Sequence, residues 1–446
     1  MSVRAIVLAA GKGTRMKSRI PKVLHPVCGR PMLWYTVREL HAAGIDDILV
    51  VTNDELQARI AEFGVTGIVQ SEQLGTGHAV RIALDASTAQ PGSQVVIAYG
   101  DMPLVTHDTF ARIVSALNSG SPAAMSLVTV KMPLPSNFGR IVRNGDSVER
   151  IVEVRDAGPH ELAINEMNAG IYAFDESALR DAVAALKNDN AQEEYYLTDA
   201  VAHFVRQGKV VRPVAVTDHM AMVGINDRVE LATARREMNA RIAAAHMRDG
   251  VTILDPSTTY LEPELRIGRD TVIYPGTSIS LLSTIGENCV IGPHTRISAS
   301  TIGDGVEIRE SVVVQSEIGN DSVIGPFAHV RGHAKLAGRN RVGNFVEVKN
   351  SQYSLGVKSA HLAYVGDASV GEETNIGAGT ITCNFDGRQK NYTKIGKNVS
   401  IGSNTSIVAP RTIGDDALTG AGSVVTKDVA PGERVAGNPA KPLPKK

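Results

Sequence analysis

Cysteine is scarce, aromatic side chains make up only 4% of the chain, and the charges cancel to a formal net charge of -1 over 446 residues. Each shortage removes a class of function. The three cysteines, Cys28, Cys289 and Cys383, form an odd set without metal-ligand spacing, which points to a reduced compartment rather than a disulfide framework. A nearly neutral chain carries no field that gathers a polyanion, so nucleic acid is not an expected partner, and a phosphate site must be built locally from cations and backbone amides. Long apolar runs are missing too. The run Val3 to Ala10 passes straight into Gly11-Lys12-Gly13 and is too short for a signal segment or a membrane span, so no membrane partner and a cytoplasmic location are expected.

What the chain has is length. At 446 residues and 43% hydrophobic content it exceeds what a single core serves, on the order of 250 residues. Up to about residue 225, Val- and Ile-rich runs alternate with segments of helical period, a βαβ signature. Strands are predicted at Val3 to Leu8, Ile48 to Val51, Gly67 to Gln70, Gln94 to Ala98, Ala123 to Val130 and Asn168 to Phe174, with helical spacing over Gly77 to Asp85 and Asp108 to Leu117. Asn144-Gly145 predicts a hairpin turn between Arg140 to Val142 and Val148 to Val152, because this pair supplies the positive φ angles of a tight turn. The fold class expected for this part is α/β, Rossmann-like, with a mixed sheet.

From Asn226 to about His246 no Gly or Pro interrupts a run of strong helix formers. Such a helix, roughly 30 Å long, is expected to join two domains. The domain reading is 1–228, a linker helix 229–249, and 250–446. Beyond the helix a six-residue period takes over, an aliphatic residue followed by Gly: Ile267-Gly268, Ile285-Gly286, Ile291-Gly292, Ile302-Gly303, and so on to Ile413-Gly414. Neither a helix nor an alternating strand has period six. Three hexads closing one triangular turn of a parallel β-helix do, the aliphatic residue filling the interior and Gly, Asn or Asp taking the corner. The repeat fills a core and carries no chemistry by itself. Two stretches break it: Gly332 to Leu362, rich in Arg, Lys and His, and the insertion Cys383 to Tyr392.

In the first half, Leu8-Ala9-Ala10-Gly11-Lys12-Gly13-Thr14-Arg15-Met16 follows a strand directly. Its small residues let the backbone approach a triphosphate, which successive amides, Arg15 and Lys22 would cradle. It is neither a P-loop, lacking Gly-Lys-Ser/Thr at the required offset, nor a dinucleotide fingerprint, since Met16 stands where the third glycine belongs. Asp101, in Tyr99-Gly100-Asp101, lies just past a strand end, where open α/β sheets bind ligands, and can hold Mg²⁺; an isolated Asp there is more commonly a cap. Gln70 and Gln73-Leu74-Gly75-Thr76-Gly77-His78 offer amides to a pyrimidine edge, with Thr76 as a helix N-cap.

Together with Pro21-Lys22-Val23-Leu24 and Glu194-Tyr195-Tyr196-Leu197-Thr198-Asp199, these motifs make the chain resemble, over nearly its whole length, the bacterial bifunctional N-acetylglucosamine-1-phosphate uridyltransferase/glucosamine-1-phosphate N-acetyltransferase family. The resemblance implies acetyl transfer from acetyl-CoA to glucosamine-1-phosphate in a C-terminal left-handed parallel β-helix. Uridylyl transfer from UTP to N-acetylglucosamine-1-phosphate would follow in the N-terminal domain, supplying cell-wall and lipopolysaccharide precursor synthesis. It implies a nucleotide and sugar site at Leu8, Ala9, Ala10, Gly11, Lys22, Gln70, Gly75, Thr76, Tyr99, Gly100, Asp101, Gly139, Glu153, Asn168 and Asn226, with Mg²⁺ on Asp101 and Asn226 and a homotrimer as the assembly. The sugar-phosphate oxygen is already anionic, so the first-half chemistry needs positioning and charge rather than a base.

Acetyl transfer needs a group titrating near neutrality to take the amine proton, and His361 is the candidate. Arg331 and Lys349 can bind a sugar phosphate, Glu347 can orient the imidazole, and Tyr364 and Asn375 can hold hydroxyls; all match the family's positions. Ala378, Asn384, Phe385, Lys390, Ser403 and Ala421 would line the acetyl-CoA cleft, with Ser403 or a backbone amide as the oxyanion donor. Phe385 stands where the family pattern has Tyr, Asn438 where it has Arg, and Ala169 where it has Thr. Rival readings are a non-catalytic regulatory β-helix protein, a β-helix carbonic anhydrase using His329 and His333, and a related enzyme with another sugar or nucleotide.

Overall fold

The computed structural model describes residues 2–88 and 92–444. The chain divides into two compact units, 1–235 and 236–446. In the first, nine strands form one sheet: β1 (Val3–Leu8), β2 (Asp47–Thr52), β3 (Thr66–Val69), β4 (Gln94–Tyr99), β5 (Met125–Lys131), β6 (Arg140–Asn144), β7 (Ser147–Val152), β8 (Glu166–Asp175) and β9 (Val211–Val216). The order is β9-β5-β8-β4-β1-β2-β3, with β6 on β8 and β7 on β6. Strand β1 runs parallel to β2 and β4, whereas β8 is antiparallel to both β4 and β5, so the sheet is mixed. β1 and β4 are apolar on both faces because helices cover them; Ala79, Val80, Ala83 and Leu84 of α1 (Thr76–Asp85) lie in the same buried cluster as Ile6, Leu8, Val95 and Ile97.

Strand β9 has no counterpart among the predicted strands. It contains Pro213, which cannot donate to a ladder, yet it lies at the sheet edge, where proline is tolerated. The hairpin turns one residue later than its Asn-Gly pair predicts, with Asn144 still paired to Ser147 and Gly145 in the turn at φ 59°. A register shift between Asn168 and Tyr172 puts a bulge in β8, with Gly170 at φ 79°.

Helix α2 (Arg228–Arg248) begins two residues later than expected. Asp227 caps it, its Oδ1 accepting from the N–H groups of Val229 and Glu230, while Glu230 reaches back to the N–H of Asn226 at 2.6 Å. Asn226 therefore stands just outside the helix. No helix among the described residues is long and apolar enough to cross a membrane.

The second unit is a parallel β-helix of three sheets with 12, 10 and 9 strands, closed by an antiparallel end strand, Lys441–Pro442. Its interior is a continuous stack dominated by Ile, Val, Leu and Ala, the residues that the six-residue period places, with Cys289 and Tyr353 among them. Between Lys358 and Asn375 one coil takes 17 residues; between Asn375 and Ser400 it takes 25, because the insertion Cys383–Tyr392 loops out.

Candidate active sites

Two adjoining cavities open at the strand ends of the first unit. One, about 260 Å³, is lined by Leu8, Ala9, Ala10, Gly11, Lys22, Gln70, Gly75, Thr76, Tyr99 and Asp101 among others. The second, about 590 Å³, is lined by Arg15, Gly139, Glu153, Asn168 and Asn226 and shares Tyr99 and Asp101 with the first. Gly100 lines neither: it is buried, and a Cβ there would stand 3.2 Å from Leu33 and Val23, so its small size serves packing.

The loop after β1 is shaped by Gly13, at φ 58°, where a Cβ would come within 2.8 Å of the Lys22 Cβ. This close approach delivers Lys22 to the floor of the site. Its ammonium donates to Asp101 Oδ2 and, at 3.1 Å, to Asn226 Oδ1. Helix α2 supports the arrangement: Arg228 Nε donates to the Met16 carbonyl at 3.3 Å and Arg235 Nε to that of Pro26 at 2.9 Å.

Thr76 is the first residue of α1, whose N-cap is Gly75, and its hydroxyl accepts from the Leu197 N–H at 3.1 Å. The expected cap is thus a tether to the Glu194–Asp199 segment, because Gly75, at φ 103°, packs where a Cβ would meet the Tyr195 carbonyl at 2.7 Å. Gln73 holds the Ala10 carbonyl at 2.7 Å, joining this turn to the glycine loop, and Gln70 is held against His78 at 3.1 Å. In the larger cavity the bulge in β8 sets Asn168, which donates to the Tyr172 hydroxyl at 2.7 Å and accepts from the Gly170 N–H. Burial raises the Glu153 carboxyl above its ordinary range; the Thr198 hydroxyl opposes the shift and Asp156 and Asp199 add to it.

On the β-helix, strand pairing sorts residues into columns. Asn344 pairs with His361; carrying the register two residues past Ser359–Ile376, Ile376–Ile401 and Ile401–Thr419 stacks Ala378, Ser403 and Ala421 in line with them. On the next sheet, Glu347 pairs with Tyr364, and Lys349 lies between Arg331 and Gly366. A Cβ on Gly366 would stand 2.3 Å from the Tyr364 hydroxyl, so the phenol lies across a bare glycine. His361 Nδ1 is 2.7 Å from Asn344 Oδ1, and Glu347 instead receives Arg331 Nε at 2.6 Å. The expected Glu347–His361 contact is replaced because the register puts Asn344, not Glu347, beside the histidine.

Residues 5–196 match the family model of the MobA-like NTP transferase domain, 261–360 that of the GMPPB C-terminal domain, and 392–427 that of the bacterial transferase hexapeptide (six repeats). The bifunctional protein GlmU of Halalkalibacterium halodurans is 45% identical over 428 residues, 95% of this chain and 94% of that protein. Those of Geobacillus sp. strain WCH70 and Mycolicibacterium gilvum are each 44% identical, over 95% and 96% of this chain and 93% and 88% of theirs. This chain belongs to the GlmU family. As a GlmU-family protein it is an enzyme with two transferase halves, a nucleotidyltransferase and a hexapeptide acetyltransferase.

In this GlmU-family chain the structure gathers the first-half candidates, Gly100 apart, around two cavities, and groups Arg331, Glu347, Lys349 and Tyr364 on one β-helix face. Asn384 joins that face through the Tyr364 hydroxyl at 3.3 Å, and Lys390 through Lys349, which chiefly lowers the Lys390 ammonium below its ordinary range, Asp367 and Tyr364 acting the other way. Phe385 and Lys390 bridge to form a small hairpin in the insertion. Asn375 is exposed and pairs with Lys358 and Ser400, three positions ahead of the His361 column. Asn344, Asp367 and Glu230 carry contacts that no motif announced. Asn344 had one signal, an offset of 17 residues from His361, one coil of the repeat.

Proposed function

We propose that the β-helix half acetylates glucosamine-1-phosphate and that the α/β half then joins the N-acetylated product to the uridylyl group of UTP, releasing pyrophosphate and UDP-N-acetylglucosamine. The observation that carries the reading is the Lys22 ammonium bridging Asp101 and Asn226 where two cavities meet. One cavity suits a nucleotide and the other a sugar phosphate, so the reacting oxygen and the α-phosphorus meet at their junction.

The donor set fits Mg²⁺. Asp101 and Asn226 present hard oxygens, and a cation already sits between them in the form of Lys22. These two residues would hold the metal, whose chemistry when bound is to neutralise charge on the phosphates. The amides of Leu8 to Gly11 cradle phosphate oxygens, and Arg15 and Lys22 offset charge on the departing pyrophosphate. Gln70, Gly75 and Thr76 bound the base, while Gly139, Glu153 and Asn168 position the sugar.

In the second half, Asn344 Oδ1 only accepts, so the hydrogen bond to it is made by an Nδ1–H of His361, which leaves Nε2 as the ring nitrogen available to the substrate amine. As the amine attacks the thioester carbonyl, Nε2 takes its proton; the tetrahedral oxyanion accepts from the Ser403 hydroxyl, the carbon–sulfur bond breaks, and the departing thiolate takes the proton from Nε2 to leave as CoA. Arg331 and Lys349 bind the phosphate, Tyr364 and Asn375 the sugar hydroxyls, and Ala378, Asn384, Phe385, Lys390 and Ala421 bound acetyl-CoA. The working division is 1–228 for uridylyl transfer, 229–249 as the joining helix, and 250–446 for acetyl transfer. Phe327 and Phe345, 52% and 58% exposed and stacked at 5.3 Å, form with exposed Leu362 an apolar ridge beside His361 suited to further copies of the chain in a homotrimer. The proposed location is the cytoplasm.

The test incubates the protein with glucosamine-1-phosphate, acetyl-CoA, UTP and Mg²⁺. His361→Ala should fail at acetylation yet uridylylate supplied N-acetylglucosamine-1-phosphate, and Asp101→Ala should do the reverse. A folded variant that lost both activities would sink the two-site reading.

A further inference from the structure

Asp367 is the most thoroughly engaged carboxylate of the β-helix face that carries Lys349 and Tyr364. It is 6% exposed and sits at a coil corner with φ 51°. One oxygen accepts from Asn350 Nδ2 at 2.6 Å and the other from Asn384 Nδ2. Its own N–H donates to the Lys349 carbonyl, and its carbonyl accepts from Thr393, the first residue past the insertion. Asn384, 7% exposed, is the second residue of that insertion, and its carbonyl accepts from the N–H of Asn391, the last but one, at 2.6 Å.

We infer that Asp367 is a positioning residue for acetyl transfer: its buried carboxylate fixes the side-chain amide of Asn384 near the start of the insertion loop that holds acetyl-CoA, while its backbone carbonyl holds Thr393 just past the loop's end. The inference rests on the reading of this face as the acetyl-transfer site. A carboxylate is acceptor-only, so it takes two amide NH₂ groups at once. With its NH₂ committed to Asp367 and to the Tyr364 hydroxyl, Asn384 turns its Oδ1 away from Asp367, leaving an acceptor for an amide N–H of the acyl donor's pantetheine arm. Asparagine at 367 would keep the shape and tolerate the corner, as Asn350 does at φ 46° in the same column, but would set NH₂ against NH₂ and force an amide to flip.

The experiment measures initial rates of acetyl transfer by the full chain against acetyl-CoA and glucosamine-1-phosphate in turn, with melting temperature and uridylyl transfer measured alongside. Asp367→Asn should raise the acetyl-CoA KM about tenfold, the effect of losing one hydrogen bond to the ligand, while kcat and the KM for glucosamine-1-phosphate change little. Asn384→Ala, which leaves Asp367 its Asn350 contact, should reproduce that split, and the double variant should lose no more than either single. Wild-type KM in Asp367→Asn, equal loss against both substrates, or additive loss in the double variant would overturn the assignment. Wild-type turnover in the same assay reports separately on the reading of the site.

Discussion

Replacing Gly13 by alanine tests whether the glycine loop sets the position of Lys22. Two effects combine. A non-glycine residue at φ 58° pays roughly 1–2 kcal/mol for the left-handed region. The added Cβ would also stand 2.8 Å from the Lys22 Cβ, well inside the ordinary carbon–carbon separation of about 3.5–4.0 Å. Because the atom it meets is a Cβ, no side-chain rotation relieves the overlap, and the segment carrying Lys22 must move by roughly 1 Å, a displacement that can cost about 100-fold in rate. The expected result is a 10- to 100-fold fall in kcat/KM for uridylyl transfer, a lower melting temperature for the α/β unit and unchanged acetyl transfer. Gly44→Ala controls for backbone strain, since Gly44 has φ 78° with open space around it; that variant should lose stability and keep its uridylyl kinetics. Normal uridylyl transfer by folded Gly13→Ala would refute the claim that this glycine places Lys22.

Lys22→Met removes the resident cation from Asp101 and Asn226, so Mn²⁺ titrated without nucleotide should bind more tightly even as uridylyl turnover falls; equal or weaker binding would show that the ammonium and the metal do not compete for these oxygens. Chelation of divalent metal should stop uridylyl transfer while acetyl transfer continues. Asn344→Ala frees His361 Nδ1 and should slow acetyl transfer about tenfold, as expected when a catalytic base loses its orienting partner, with uridylyl transfer as the internal control. Glu153 has a folded-state pKa raised by burial, so its stabilising contribution is complete below the ordinary glutamate value of 4.5 and declines as pH climbs through the folded value. Glu153→Gln should flatten that limb of a stability-versus-pH curve measured by chemical denaturation, and an unchanged limb would rule this group out.

The legibility of the chain differs between its halves for reasons that particular residues make plain. Ile285, Ile291, Ile302 and their successors recur at six because each coil buries its aliphatic residue locally, so architecture follows from spacing alone. In the α/β half the apolar runs announced most strands, but Val211–Val216 needed the sheet itself, since a strand containing Pro213 is admissible only at an edge and no local pattern names the edge. Glu347 is expected to orient His361 because its position matches the family's; strand register assigns the imidazole to Asn344 and Glu347 to Arg331.

By itself, then, the sequence determined what local physics can determine: a mixed α/β unit, a long helix, a β-helix, and side chains whose chemistry suits phosphate, metal and amine. Only the tertiary structure decided partners. It turned Thr76 from a cap into a tether for Leu197, set Lys22 between Asp101 and Asn226 from sequence separations of 79 and 204 residues, and buried Asp367 between two asparagines. Hydrogen bonds and ion pairs reach only about 3 Å, so which distant groups meet depends on how coils stack and strands register.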